Sequence, residues 1–178
     1  MSANNDLQQI KNINVLKGVR LDHLITTGHS FVVHCEAHLT KSVEPVRRYK
    51  MTLLDEKNTC FYQAEAVATK QLEGAPLYDT PLPFTPVIET KNLYDGHILF
   101  HGPSFRFLAG VDGLSVDGIS GIVESVSSKA SDWPQEAWHV DPGIIDGVLQ
   151  MAVYWTHHML GEAALPMSIE GLHLYAPL

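Results

Sequence analysis

Asp146 is the residue of this sequence best suited to proton chemistry. It follows Ile144 and Ile145 and precedes Val148 and Leu149, about one turn into a helix-length apolar run. An ionised carboxylate loses hydration in such surroundings. Desolvation favours the neutral acid and raises its pKa, which makes Asp146 a candidate proton donor. Gln150 lies four residues later on the same helical face, where its amide can orient the carboxyl group. A second cluster is Leu99-Phe100-His101-Gly102-Pro103-Ser104-Phe105-Arg106. Gly-Pro lets the backbone turn tightly beside something bulky, and the flanking aromatics anchor it. Taken alone, the cluster reads as readily as a packed loop with a satisfied histidine.

Other groups resemble sites and are read otherwise. His34, Glu36 and His38 share one face of a strand, but each step of two spans about 6.6 Å. The outer pair is then roughly 13 Å apart, too far to share a zinc ion whose ligand bonds are about 2 Å. These three are expected on a solvated strand face, with no metal. His157 and His158 are expected to complement the negative end of a helix. No Walker loop, GxSxG elbow or GxGxxG fingerprint occurs.

The elements that must position these groups are legible in outline. Asp141-Pro142 reads as N-cap and first helical residue, and Gly161 as the stop of a helix from Pro142 to about Leu160. Its apolar residues cover most of the circumference, so burial is expected all round. Before it come strand candidates at 13–21, where Gly18 argues for a bulge, at 31–39, at 49–53 and at 60–69. Phe31, Val33, Cys35, Ala37 and Leu39 alternate with polar neighbours, as in a half-buried strand. Asp55-Glu56-Lys57-Asn58 supplies a turn, and Asp112-Gly113 and Asp117-Gly118 punctuate later short strands. Pro76, Pro81, Pro83 and Pro86 mark an extended connection. The expected division is 1–75 as strands of a first half, 76–92 as a Pro-rich connection, and 93–178 as a second half with the helix at about 142–160. One helix among antiparallel strands places the chain in the α+β class, with a sheet wrapped around a central helix.

The 178 residues suit one mid-sized domain or two small halves. At 45% hydrophobic the chain can build a core, and 20 acidic against 12 basic residues give a formal charge of −8. An acidic chain with no basic run has no electrostatic footprint for nucleic acid or an anionic membrane. The N-terminus lacks the pattern of a secretory signal, and no apolar stretch is long enough to span a bilayer. Cys35 and Cys60 have no CxxC spacing and are expected as buried thiols in a reducing, cytoplasmic setting.

Three segments together resemble a known family. Asp141-Pro142-Gly-Ile-Ile145-Asp146-Gly-Val-Leu-Gln150 resembles the His-Pro-x-x-Leu-Asp-x-x-x-Gln helix motif of polyketide synthase dehydratase domains. His101-Gly102-Pro103-Ser-Phe105-Arg106 is similar to their Tyr-Gly-Pro-x-Phe-Arg motif, and Leu165-Pro166-Met-Ser-Ile-Glu170-Gly171-Leu172 to the strand after their second helix. The run from Leu93-Tyr94-Asp95-Gly96 through Pro103 is closer still to the dehydratase-like regions of polyunsaturated fatty acid synthases.

The resemblance implies a double hot-dog fold, in which two sheets each wrap a helix. It also implies elimination of water from a β-hydroxyacyl chain carried on the phosphopantetheine arm of an acyl carrier protein. No other cofactor is implied. A His of the first hot dog would take the α-proton and Asp146 would protonate the leaving hydroxyl. Gln150 would hold the acid, while His101, Gly102, Pro103 and Phe105 would line the substrate pocket. The implied partners are the carrier protein and neighbouring synthase domains, and a second copy could complete the fold. The sequence departs from the family in three respects. The base motif His-x-x-x-Gly-x-x-x-x-Pro has no match in the first half, its spacing occurring only at His157-Gly161-Pro166 at the end of the second-half helix. Asp141 replaces the helix motif's His, and His101 replaces the Tyr. The reading that competes with an enzyme is therefore a non-catalytic docking or acyl-binding module of the same fold. The strand order further leads to the expectation that strands from both halves cover the one helix.

Overall fold

The computed structural model describes residues 6–19, 30–39, 46–69, 74–77, 85–89, 93–129, 133, 138 and 140–175. They fall into two units, each with its own antiparallel sheet.

The first unit holds β1 (Asp6–Val15), β2 (Phe31–Leu39), β3 (Arg47–Asp55), β4 (Cys60–Thr69) and β8 (Ser168–His173), in the order β2-β3-β4-β1-β8. The β3–β4 turn forms as expected. The Asp55 carboxylate accepts the backbone N–H groups of Lys57 and Thr59, each at 2.8 Å, and Asn58 takes a left-handed φ of 61°. Asn tolerates that conformation because its short side chain compensates locally. β1 begins earlier than the expected 13–21 and ends at Val15, short of Gly18. Its two register shifts against β4 fall instead between Leu7 and Gln9 and between Lys11 and Asn14, the second where Asn12 has φ 51°. That is the signature of a bulge.

Register explains the faces. Val33 pairs with Leu53, Leu53 with Tyr62, Cys35 with Met51, and Ile10 with Leu172, so one face is largely apolar. The expectation of a half-buried β2 is overturned, since Val33 and Leu39 are 65% and 66% exposed. β2 is an edge strand, and among the described residues its unit contains no helix to cover it. The same position exposes Cys35, expected to be buried; both thiols are free. His34, Glu36 and His38 are exposed on the opposite face.

The second unit holds β5 (Thr85–Glu89), β6 (Leu108–Ser115), β7 (Gly118–Val123) and α1 (Pro142–Leu160), with sheet order β5-β6-β7. β5 lies inside the stretch expected as connection, in which residues 76 and 77 are irregular and 78–84 and 90–92 lie outside the described residues. β8, expected with the second half, instead lengthens the first sheet beside β1. Its Ile169 and Leu172 face Ile13 and Ile10 across the ladder. Asp117-Gly118 closes the β6–β7 hairpin, whereas Asp112-Gly113 lies within β6 at a register shift. There Asp112 is held by the Ser120 hydroxyl, so the pair marks an irregular strand rather than a turn.

α1 starts and stops where capping chemistry dictates. The Asp141 carboxylate accepts the N–H groups of Gly143 (2.8 Å) and Ile144 (3.1 Å), which have no partner inside the helix. It also accepts the Val126 N–H at 3.2 Å, tying the helix start to the preceding segment. Gly161 closes the helix in a left-handed φ of 83°. The helix is buried along one face, not all round. Gly143, Gly147, Gln150, Val153 and Tyr154 are buried, whereas Val148 and Leu160 are 52% and 67% exposed. The buried face packs on β6 and β7, with Leu93, Leu99, Leu108 and Val111 in the core.

Candidate functional site

Asp146 and Gln150 come together as their spacing requires. Gln150 Nε2 donates to Asp146 Oδ2 at 2.6 Å and to the Phe105 carbonyl at 2.8 Å. Gln150 Oε1 receives the Tyr94 hydroxyl at 2.5 Å and the Leu108 N–H at 3.3 Å. Gln150 is only 1% exposed, and both ends of its amide are satisfied, as burial demands. The arrangement fixes which end of the amide meets Asp146.

Burial raises the Asp146 carboxyl above the ordinary aspartate value, opposed by the Gln150 hydrogen bond and by the charge of His101. The direction agrees with the sequence expectation, but its source is narrower than a helix buried all round. It comes from the face that carries Gly143, Gly147 and Gln150.

The second cluster lies in the same unit. Gly102 opens a tight turn, Pro103–Phe105, closed by the Phe105 N–H on the Gly102 carbonyl at 2.9 Å. Gly102 and Pro103 are exposed, and Phe105 contributes to the network through its carbonyl while its ring packs on Trp133. His101 stacks on Phe100 (centroids 5.0 Å) and meets the Tyr94 ring edge-on. Its Nδ1 is buried without a hydrogen-bond partner among the described residues. Arg106 donates through Nε to the His101 carbonyl and sits 5.3 Å above the Tyr94 ring.

Two members of the site escape a reading of the sequence. Tyr94 stands within a motif but shows no role there, because a single aromatic before Asp-Gly carries no periodic signal. Trp133 lies in a polar, loop-like stretch, and its indole N–H donates to the Ser104 carbonyl at 2.9 Å. A lone tryptophan among polar residues is the available signal, since so large a ring seeks cover and a partner for its N–H.

The chain has recognisable relatives. A family model described as the polyketide synthase dehydratase N-terminal domain matches residues 85–178. Across 97% of its length the chain is 28% identical to one of the subunits of a polyunsaturated fatty acid synthase from Thraustochytrium sp., and spans 6% of that protein. The dehydratase domain of the CurH module of curacin polyketide synthase superposes with a TM-score of 0.62 at 14% identity, over 96% of this chain and 61% of that one. The dehydratase domain of PpsC from Mycobacterium tuberculosis, solved with C12:1-CoA, gives a TM-score of 0.59 at 17% identity, over 96% and 59% respectively. Identities this low speak for fold, and the fold is the α+β hot-dog architecture of dehydratase domains.

Proposed function

The chain belongs to the polyketide synthase dehydratase family, and on that premise we propose that Asp146 is the proton donor in elimination of water from a β-hydroxyacyl thioester. The observation that carries this reading is a carboxyl group whose pKa burial raises and which is hydrogen-bonded to a fixed amide. Elimination needs a base to remove the α-proton. The C–H electrons become the new double bond, the β C–O bond breaks, and the departing oxygen takes the proton of Asp146 to leave as water. A poor leaving group needs such an acid within hydrogen-bond reach.

Burial and Gln150 act at different stages. Desolvation favours the protonated form of Asp146 at rest. The Gln150 N–H strengthens its hold as negative charge develops on the carboxyl, an interaction worth more in the transition state than before it. His101, Gly102, Pro103 and Phe105 line the acyl pocket, and the substrate arrives on the phosphopantetheine arm of an acyl carrier protein beside neighbouring synthase domains. Acid and base suffice, so the reaction calls on no further cofactor.

The base is supplied from outside this sequence. Its one match to the spacing of the family's His-x-x-x-Gly-x-x-x-x-Pro motif, His157 to Gly161 to Pro166, sits at the end of α1, about 16 Å along the helix from Asp146 and too far to act on the adjacent carbon. The same observation favours a second reading, a non-catalytic module that binds the acyl chain. Incubating a β-hydroxyacyl pantetheine thioester with the chain, alone and within its synthase, separates the two. Turnover within the synthase that is lost in Asp146→Asn supports the enzyme. Turnover unaffected by that substitution refutes the acid role, and binding without turnover in either form supports the module.

A further inference from the structure

The Tyr94 hydroxyl is turned toward the amide that touches Asp146. It accepts the Leu108 N–H at 2.7 Å and has two acceptors for its single hydrogen, Gln150 Oε1 at 2.5 Å and the Leu108 carbonyl at 3.0 Å. The contact to Gln150 is the shorter. Burial pushes the phenol up to about 12, so it keeps its hydrogen at neutral pH and remains a donor.

Gln150 transmits that donation. An amide turned end for end would set its NH2 against the Leu108 N–H and its oxygen against the Phe105 carbonyl and the Asp146 carboxyl. Of the two donors on Oε1, Tyr94 is much the closer. A donor on an amide oxygen also polarises the group, which makes the N–H at its other end a stronger donor. Tyr94, Gln150 and Asp146 thus form a chain of two hydrogen bonds pointing the same way. The other charged groups acting on it are His101 on Asp146, and Arg106 and Glu124 on Tyr94.

We propose that Tyr94 is a positioning residue for Asp146: by donating to Gln150 Oε1 it orients and polarises the amide that stabilises the ionised carboxyl, and so sets how readily Asp146 releases its proton. The proposal deepens the dehydratase reading and rests on Asp146 as the proton donor.

The test follows the Asp146 titration by carboxyl 13C NMR in the 178-residue chain. Three forms are compared: the native protein, Tyr94→Phe, and the protein with 3-fluorotyrosine in place of Tyr94. Tyr94→Phe keeps the ring but deletes the donor, and the Asp146 midpoint is expected to move upward. Fluorination makes the phenol a stronger donor, so the midpoint is expected to move downward. In the dehydration assay the basic limb of the pH profile should move with each. A ring that merely fills space would leave all three midpoints equal, and that result overturns the proposal. Should Tyr94→Phe fail to fold, the fluorinated form decides alone: a downward shift supports the proposal and no shift overturns it. Failure of the underlying reading looks different, because Asp146 would then titrate like free aspartate in the native protein.

Discussion

Gln150 Nε2 lies 2.6 Å from Asp146 Oδ2, one helical turn away, and no rotation of the amide would serve both of its ends as well. Gln150→Leu removes the hydrogen bond that favours the ionised carboxyl. The Asp146 midpoint is then expected to rise, as a carboxyl-resolved NMR titration would show. The Phe105 carbonyl also loses its partner. On the buried side the Tyr94 hydroxyl and the Leu108 N–H lose the Gln150 oxygen as well, and partners left unsatisfied there cost up to about 1–3 kcal/mol, so the variant should unfold at lower denaturant concentration. An unchanged Asp146 midpoint would remove Gln150 from the acid's control.

Asp146→Asn should separate activity from stability. The folded state raises the Asp146 pKa above its unfolded value of 3.8. Between the two pKa values the folded chain binds more protons than the unfolded one, so stability falls as pH rises through that window. Above it the full penalty of burying a carboxylate is present. The neutral amide avoids this penalty. Asp146→Asn is expected to be more stable than the native chain at neutral pH, with the pH-dependent part of the difference vanishing below 3.8. Urea denaturation at several pH values measures it, and an advantage that does not change with pH would contradict the burial argument.

The sequence makes local rules visible and leaves long-range pairing hidden. Asp141, Pro142 and Gly161 act through groups one to four residues away, so their pattern alone places α1 between its observed ends. Asp146 and Gln150 are legible for the same reason, being one turn apart. By contrast, β8 lies next to β1, some 160 residues distant in sequence, and nothing in Ser168–His173 names that partner. The alternation in β2 reveals two unlike faces but not whether anything covers them. Tyr94 acts across 56 residues through one hydroxyl, which no periodicity records.

Asp141 carries the start of α1. Its carboxylate serves three backbone N–H groups, those of Gly143, Ile144 and Val126. Asp141→Ala is expected to cost about 1–2 kcal/mol, at the upper end for an N-cap because the Val126 N–H loses its acceptor too. Asp141→Asn retains an acceptor and should recover most of the loss. Thermal melts of the three proteins check the order, and equal melting points for Ala and native would disprove the capping role.

Gly147 sets how closely α1 approaches the sheet. A Cβ there would stand 2.9 Å from Val123 Cγ1 and 3.0 Å from Val123 Cβ, and neither atom belongs to a flexible side-chain end. Overpacking of this kind costs about 1–3 kcal/mol, against a gain of about 1 kcal/mol from the better helix propensity of alanine. Gly147→Ala is therefore expected to lower stability on balance. Because α1 moved away from β7 would carry Gln150 with it, the Asp146 titration should shift as well. Val123→Ala opens the space that the new methyl needs. In a double-mutant cycle the pair should be less destabilised than the sum of the two single changes, which denaturant unfolding can resolve. Strict additivity would mean that the helix does not rest on Val123 at this point.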